Sequence, residues 1–150
     1  YEAVEYLKSK GSEIDHGSDL GAQDEVMLTE GSPVPIFIER WPKEIKAFYM
    51  KRDPENPDVV LGDDLIAPEG FGEIIGGSQR EDDHDLLLAR MQAEKMPIED
   101  YQWFLDLRKY GSVPHSGFGI GLERLVTWMS GIHHIRETIP FPRMIYRIYP

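Results

Sequence analysis

Apolar residues along the chain alternate between a helical and a strand period, and the changes of period outline a succession of elements. Residues 1–10 place Val4 and Leu7 on one side of a helical repeat that stops at Gly11. Residues 22–30 predict a second helix, with Asp19 and Gly21 as entry signals. Residues 34–38 form an apolar strand after Pro33. Residues 47–51 are another candidate strand, closed by the turn cluster Asp53-Pro54-Glu55-Asn56-Pro57. Residues 59–67 and 72–79 predict a hairpin around Pro68-Glu69-Gly70-Phe71. Asp82, Asp83 and Asp85 favour a helix start that runs on through Leu86, Leu87 and Met91, and Pro97-Ile98-Glu99-Asp100 opens a further helix through Leu107. A glycine-rich strand, an apolar helix and an irregular tail complete the chain. Strands joined by a hairpin with helices following imply an α+β domain, a mainly antiparallel sheet flanked by helices.

At 150 residues the chain has the size of one domain, long enough to bury a core. Its 27 acidic against 16 basic side chains give a net charge of −11, which argues against a surface that coats nucleic acid. Three arginines near the end, Arg136, Arg143 and Arg147, are a weak footprint, read as a solvated or structural cluster. Cysteine is absent, which removes disulfides, thiolate zinc sites and cysteine nucleophiles. No apolar run approaches the roughly 20 residues of a membrane helix, and the start lacks a signal peptide, so the cytoplasm is the default compartment. The start also lacks a methionine, which leads to the expectation of a piece of a larger protein.

The most informative stretch is Gly117-Phe118-Gly119-Ile120-Gly121-Leu122-Glu123-Arg124-Leu125. Its glycines fall on every second residue, so in a strand they share one face while Phe118 and Ile120 take the other. Glycine weakens a strand, and three on one face leave room for something flat to approach the backbone. Leu122, Leu125, Val126 and Met129 then follow a helical stripe that can pack under a sheet. A bare ledge beside an arginine at a helix start suits a nucleotide, with the ring on the ledge and phosphates at Arg124. The plain alternative is a glycine strand packed tightly on a helix, with Arg124 as a surface charge. In the hairpin, Asp64 lies on one strand and Glu73 opens the other, so two hard oxygen donors can converge as a Mg²⁺ site. Solvated acids at strand ends are the competing reading, and a one-residue slip of register would exchange Asp64 for Asp63.

The glycine stretch resembles motif 3 of the class II aminoacyl-tRNA synthetases: alternating glycines, then Glu-Arg, then an apolar helix. Flanking runs narrow the likeness to the asparaginyl-tRNA synthetases. They are Ile45-Lys46-Ala47-Phe48-Tyr49-Met50, Gly72-Glu73-Ile74-Ile75-Gly76-Gly77-Ser78-Gln79-Arg80-Glu81, Tyr110-Gly111-Ser112-Val113-Pro114-His115-Ser116-Gly117 and Ile139-Pro140-Phe141-Pro142-Arg143. The Ala67-Pro68-Glu69-Gly70 insertion and the Tyr149-Pro150 ending look like the archaeal or eukaryotic branch. The likeness runs collinearly from Tyr1 to Pro150 and implies a class II catalytic-core-like fold, in part.

This resemblance implies ATP-dependent activation of asparagine and its transfer to tRNA(Asn), with ATP and Mg²⁺ taking part. Residue by residue, it implies Arg124 and Glu73 as catalytic groups and Asp64 with Glu73 as holders of Mg²⁺. ATP would meet Glu73, Gly119, Gly121, Leu122, Glu123 and Arg124, with Arg124 at the γ-phosphate. Arg80 and Gly76 would meet the amino acid, Arg80 at its side-chain oxygen. Aspartate enzymes of the family commonly carry serine where Gly76 stands, and Arg80 alone separates neither amide from carboxylate. Simple alternation sets Glu73 and Arg80 on opposite faces, a conflict that a bulge at Gly76-Gly77 would resolve.

Lys46, Phe48 and Tyr49 match the family run, and alternation leaves open which of them lines the pocket; a core aromatic is the safer reading. His115 precedes the ledge and is read as a loop histidine satisfied by backbone. His133 and His134 are badly spaced for joint chelation, and Asp82-Asp83-His84-Asp85 is read as a charged helix cap. Motif 1, motif 2 and an anticodon-binding domain are not found, so residues 1–150 correspond to the C-terminal part of the catalytic domain, with motif 3 at 117–130. Weak or absent activity is expected of this piece alone, and a homodimer of the full-length protein. Rival readings remain: a synthetase-like enzyme amidating aspartate with ammonia and ATP, an aspartate–tRNA ligase, or a non-catalytic nucleotide-binding module.

Overall fold

The computed structural model describes residues 1–149. Pro150, the last residue of the Tyr149-Pro150 ending, lies outside the described residues. Two short helices, α1 (Glu2–Ser9) and α2 (Ala22–Thr29), open the chain. Leu7 is the fully buried residue of α1, and α2 packs against the sheet. Asp24 reaches back to the Gly21 amide at 3.0 Å and ties the entry of α2.

Four strands follow: β1 (Ile36–Glu39), β2 (Gly62–Ala67), β3 (Gly72–Gln79) and β4 (Ser116–Ile120). They form one antiparallel sheet in the order β1-β2-β3-β4, as the hairpin signals predict. The β2–β3 turn holds Glu69, Gly70 and Gly72 at positive φ. At Gly72 (φ 73°) an added Cβ would stand 2.6 Å from Glu25 Oε2 and displace that carboxylate. The positive φ favours glycine there, and its bareness leaves the Glu25 carboxylate in place.

Helices α3 (His84–Ala93) and α4 (Gln102–Lys109) pack on one another, the latter entered through a 3₁₀ turn at Ile98–Tyr101. Leu87, Met91 and Leu105 form their buried core, with Phe48, Tyr101 and Phe104 against it. The Asp82–Asp85 cluster is a helix cap, as expected: Asp83 accepts from the amides of Asp85 (2.8 Å) and Leu86 (2.9 Å). Helix α5 (Leu122–Ser130) leaves β4 at once and ends on Gly131 in the left-handed region. No helix among the described residues is long and apolar enough to cross a membrane.

Three expectations need correction. Residues 47–51 are not a strand; the Met50 amide closes a turn onto Ala47 O (3.0 Å), and only an isolated bridge joins Met50 to Arg80. Tertiary ties override strand propensity here, since buried Arg90 of α3 donates to the carbonyls of Lys43 (2.6 Å) and Lys46 (2.8 Å). The bulge lies at Ile74 of β3, the extra residue between the Leu65–Ile75 and Ile66–Glu73 pairs, rather than at Gly76-Gly77. Lastly, the α5 stripe does not pack under the sheet: Leu122 is 63% and Met129 77% exposed, while Thr127 is the buried residue. β4 is the sheet edge, and α5 touches β3 and the 3₁₀ turn at Ile135–Thr138 without burying that stripe.

Candidate active site

Cross-strand register decides which side chains meet. Asp64 stands opposite Gly76 and Gly76 opposite Gly119; Gly62 stands opposite Ser78 and Ser78 opposite Gly117. Directly opposed residues share a face. Of these six positions only Asp64 and Ser78 carry side chains, so the face is a shallow shelf. Asp63 pairs with Gly77, itself opposite Phe118, on the other face, so of the two aspartates it is Asp64 that shares the shelf face.

The shelf is open where the glycine pattern requires it. A Cβ added at Gly119 would meet nothing within 4 Å. Its two ends carry guanidinium groups. At one end the Arg80 Nη2 would lie 3.0 Å from a Cβ on Gly117, and Arg80 Nη1 donates to Ser78 Oγ at 3.0 Å. At the other the Arg124 stem lies 3.4 Å from the Cβ position of Gly121, and Arg124 Nη1 donates to the Glu73 carbonyl at 2.6 Å. Arg124 is solvent-accessible yet turned back onto the sheet rather than outward. Leu122 and Glu123, its neighbours in the first turn of α5, are exposed beside the shelf.

The bulge at Ile74 brings Glu73 onto the same face as Gly76, which plain alternation could not do. Glu73 Oε1 and Asp64 Oδ1 approach the empty Cβ position of Gly76 to 3.0 and 3.2 Å. Glycine thus leaves a cradle between two carboxylates that any side chain would fill. Burial pushes the Glu73 carboxyl above its usual range, with Asp64 and Glu25 adding to the rise and Lys46 and Arg124 opposing it. Asp64 is likewise pushed up by burial, against the pull of Lys46. Two crowded, desolvated carboxylates with raised proton affinity are a setting that a divalent cation relieves. Among the described residues no group of three or more His, Cys, Asp or Glu converges as a metal cage. Two carboxylates fit Mg²⁺, which keeps waters and takes further oxygens from a nucleotide.

Lys46 belongs to the site. Its Nζ donates to Asp64 Oδ2 at 2.6 Å and lies 3.9 Å above the Trp41 ring. Alternation would have grouped it with Phe48, but the turn at residues 47–50 separates them: Phe48 goes into the core and Tyr49 lies under the Arg80 guanidinium, 4.5 Å from ring to carbon. Arg80, Tyr49, Phe104, Leu107, Arg108, His115 and Ser116 line a cavity of about 370 Å³ beside the shelf. His115 is satisfied by backbone as expected, its Nδ1 lying 2.8 Å from Val113 O. His134 caps a 3₁₀ turn through Nδ1, far from any chelating role.

One participant escaped the sequence reading altogether. Glu25 of α2 accepts from the Glu73 amide at 3.3 Å, inside the space that Gly72 vacates. Burial raises its carboxyl above the usual range, against the opposing effects of the Glu73 amide and Arg124. No local pattern marks it, since an acid in a helix's first turn is ordinary. Chemically, the arrangement offers a flat floor, two fixed cations at its ends, and an acidic pair at its side.

Comparison with known proteins follows the same lines. The family described as tRNA synthetases class II (D, K and N) matches residues 2–145. The asparagine–tRNA ligase of Pelotomaculum thermopropionicum is 62% identical over 149 residues, covering 99% of this chain and 35% of that protein. That of Thermococcus kodakarensis is 59% identical over the same span and shares. The crystal structure of asparaginyl-tRNA synthetase from Pyrococcus horikoshii complexed with asparaginyl-adenylate superposes with a TM-score of 0.96 at 58% identity, covering 99% of this chain and 34% of that one. The chain therefore spans about 35% of the length of the curated relatives it matches.

Proposed function

We propose a function that proceeds from one premise: the chain belongs to the class II tRNA synthetases (D, K and N). Its sheet and helices are those of part of that family's catalytic core. In our reading, residues 1–150 are the C-terminal part of the catalytic domain of a cytoplasmic asparagine–tRNA ligase. Motifs 1 and 2 and the anticodon-binding domain would belong to the rest of the protein, which would work as a homodimer.

The reaction has two steps. An oxygen of the asparagine α-carboxylate bonds to the α-phosphorus of ATP as the bond to the bridging oxygen breaks and pyrophosphate leaves. The terminal ribose hydroxyl of tRNA(Asn) then displaces AMP from the acyl carbon. The substrate supplies its own nucleophile, so the protein's contribution is orientation and charge. The adenosine lies on the floor at Gly119 and Gly121, near Leu122 and Glu123. Arg124 leaves the Glu73 carbonyl to meet the γ-phosphate. Arg80, braced by Tyr49 and Ser78, meets the amino-acid side chain beside Gly76. Mg²⁺ held by Asp64 and Glu73 would neutralise phosphate charge.

The observation that carries this reading is the open shelf at Gly119 between two guanidinium groups, flanked by the converging Asp64 and Glu73. Its test is ATP–pyrophosphate exchange by the full-length protein. Exchange should depend on asparagine and not on aspartate, and Arg124→Ala should lower it at least tenfold, about 1.4 kcal/mol. Consumption of ATP with aspartate and ammonia, or a smaller loss for Arg124→Ala, would overturn the assignment.

A further inference from the structure

The backbone that carries Glu73 is held from both sides by side chains of distant elements. Its carbonyl accepts from Arg124 Nη1 at 2.6 Å, and its amide donates to Glu25 Oε2 at 3.3 Å. Residue 73 adjoins the bulge at Ile74, and that bulge is the reason its carboxylate faces Asp64. A bulge leaves its extra residue unpaired and locally interrupts the ladder, so a hydrogen bond from outside the sheet adds a tie where the ladder is weakest. Gly72 makes the external tie possible, since a side chain there would stand 2.6 Å from Glu25 Oε2.

We propose that Glu25 is a positioning residue: by holding the Glu73 amide it fixes the bulge, and thereby sets the Glu73 carboxylate toward Asp64 and the cradle at Gly76. Glu25 reaches no reacting atom; it acts through the backbone of residue 73. It makes α2, an element outside the family motifs, a determinant of how the acidic pair receives a cation. This inference rests on the Mg²⁺ reading of that pair, and it predicts a dependence on reach rather than on charge. The relevant oxygen must extend from α2 to the strand, and either a carboxylate or an amide oxygen can accept.

The test uses the full-length protein with three variants, Glu25→Gln, Glu25→Asp and Glu25→Ala. Gln keeps the reach and loses the charge; Asp keeps the charge and loses the reach. Two readouts are taken: hydrogen exchange of the peptide carrying the Glu73 amide without ligands, and the Mg²⁺ concentration giving half-maximal ATP–pyrophosphate exchange. For Gln, both should stay within about threefold of wild type. For Asp and Ala, the amide should exchange at least tenfold faster and half-saturation should move at least tenfold higher, with the asparagine KM unchanged. The effect on second-sphere groups around metals falls in that range, about 10–100-fold. An Asp variant indistinguishable from wild type, or a Gln variant as impaired as Ala, overturns the proposal. The Gln and Asp comparison decides even if Ala does not fold. If wild type showed no asparagine-dependent exchange, the functional reading would fall, while hydrogen exchange would still report on the tie.

Discussion

Lys46→Met is the perturbation whose size the structure sets best. The Lys46 Nζ lies 2.6 Å from Asp64 Oδ2, with side-chain exposures of 14% and 7%. An exposed pair would be worth about 0.2–1 kcal/mol. This one is largely removed from water, and among the described residues Lys46 is the hydrogen-bond donor to Asp64. Deleting the ammonium leaves a desolvated carboxylate beside Glu73 without a counter-charge, a loss of about 3–5 kcal/mol. Replacing both partners, as in Lys46→Met with Asp64→Leu, removes the unpaired charge as well and should recover most of that loss. The assay is equilibrium urea unfolding of the full-length protein for wild type, both single variants and the double variant. A coupling energy above about 2 kcal/mol is expected, well beyond the 0.3–0.5 kcal/mol scatter of independent sites. Mg²⁺ should partly restore the Lys46→Met variant by standing in for the lost cation. A cost below about 1 kcal/mol for the single variant would refute the buried-pair reasoning. So would a cycle that is additive.

Gly119→Val should fold normally, because nothing lies within 4 Å of the added Cβ and valine suits a strand, but should raise the KM for ATP at least tenfold; unchanged ATP saturation would remove adenosine from the shelf. The ion pair of Lys51 and Asp82 supplies the pH prediction: the hydrogen bond between them holds Asp82 below and Lys51 above their ordinary ranges. Its stabilisation should be full above the ordinary Asp value of about 3.9 and lost as pH falls through the depressed Asp82 value. At the alkaline end it should be full below the ordinary Lys value of about 10.4 and lost as pH rises through the raised Lys51 value. The difference in melting temperature between wild type and Asp82→Asn should therefore be flat between those limits and close outside them; a constant difference across the whole range would disprove the linkage.

Much of the molecule was legible in the sequence because its determinants are local. The Asp83 cap, the hairpin around Pro68-Glu69-Gly70-Phe71 and the Gly11 stop after α1 each arise from residues a few positions apart. The glycine period placed 117, 119 and 121 on one side, and Glu-Arg followed at the helix start as the family likeness implied. Local pattern and family likeness were thus enough for most of the helices and strands, for the family and for the bare glycine edge of the shelf. The remainder depends on register and on contacts across long separations. The bulge at Ile74, and not alternation, turned Glu73 toward Asp64. The grip of Arg90 on residues 43–46 made a turn of a segment with strand propensity, so that Lys46 and Tyr49 enter the site while Phe48 enters the core. Glu25 stands 48 residues from the amide it holds. Nothing in its own neighbourhood announces that role, because a hydrogen bond across the fold is specified by packing, and packing is a property of the whole chain.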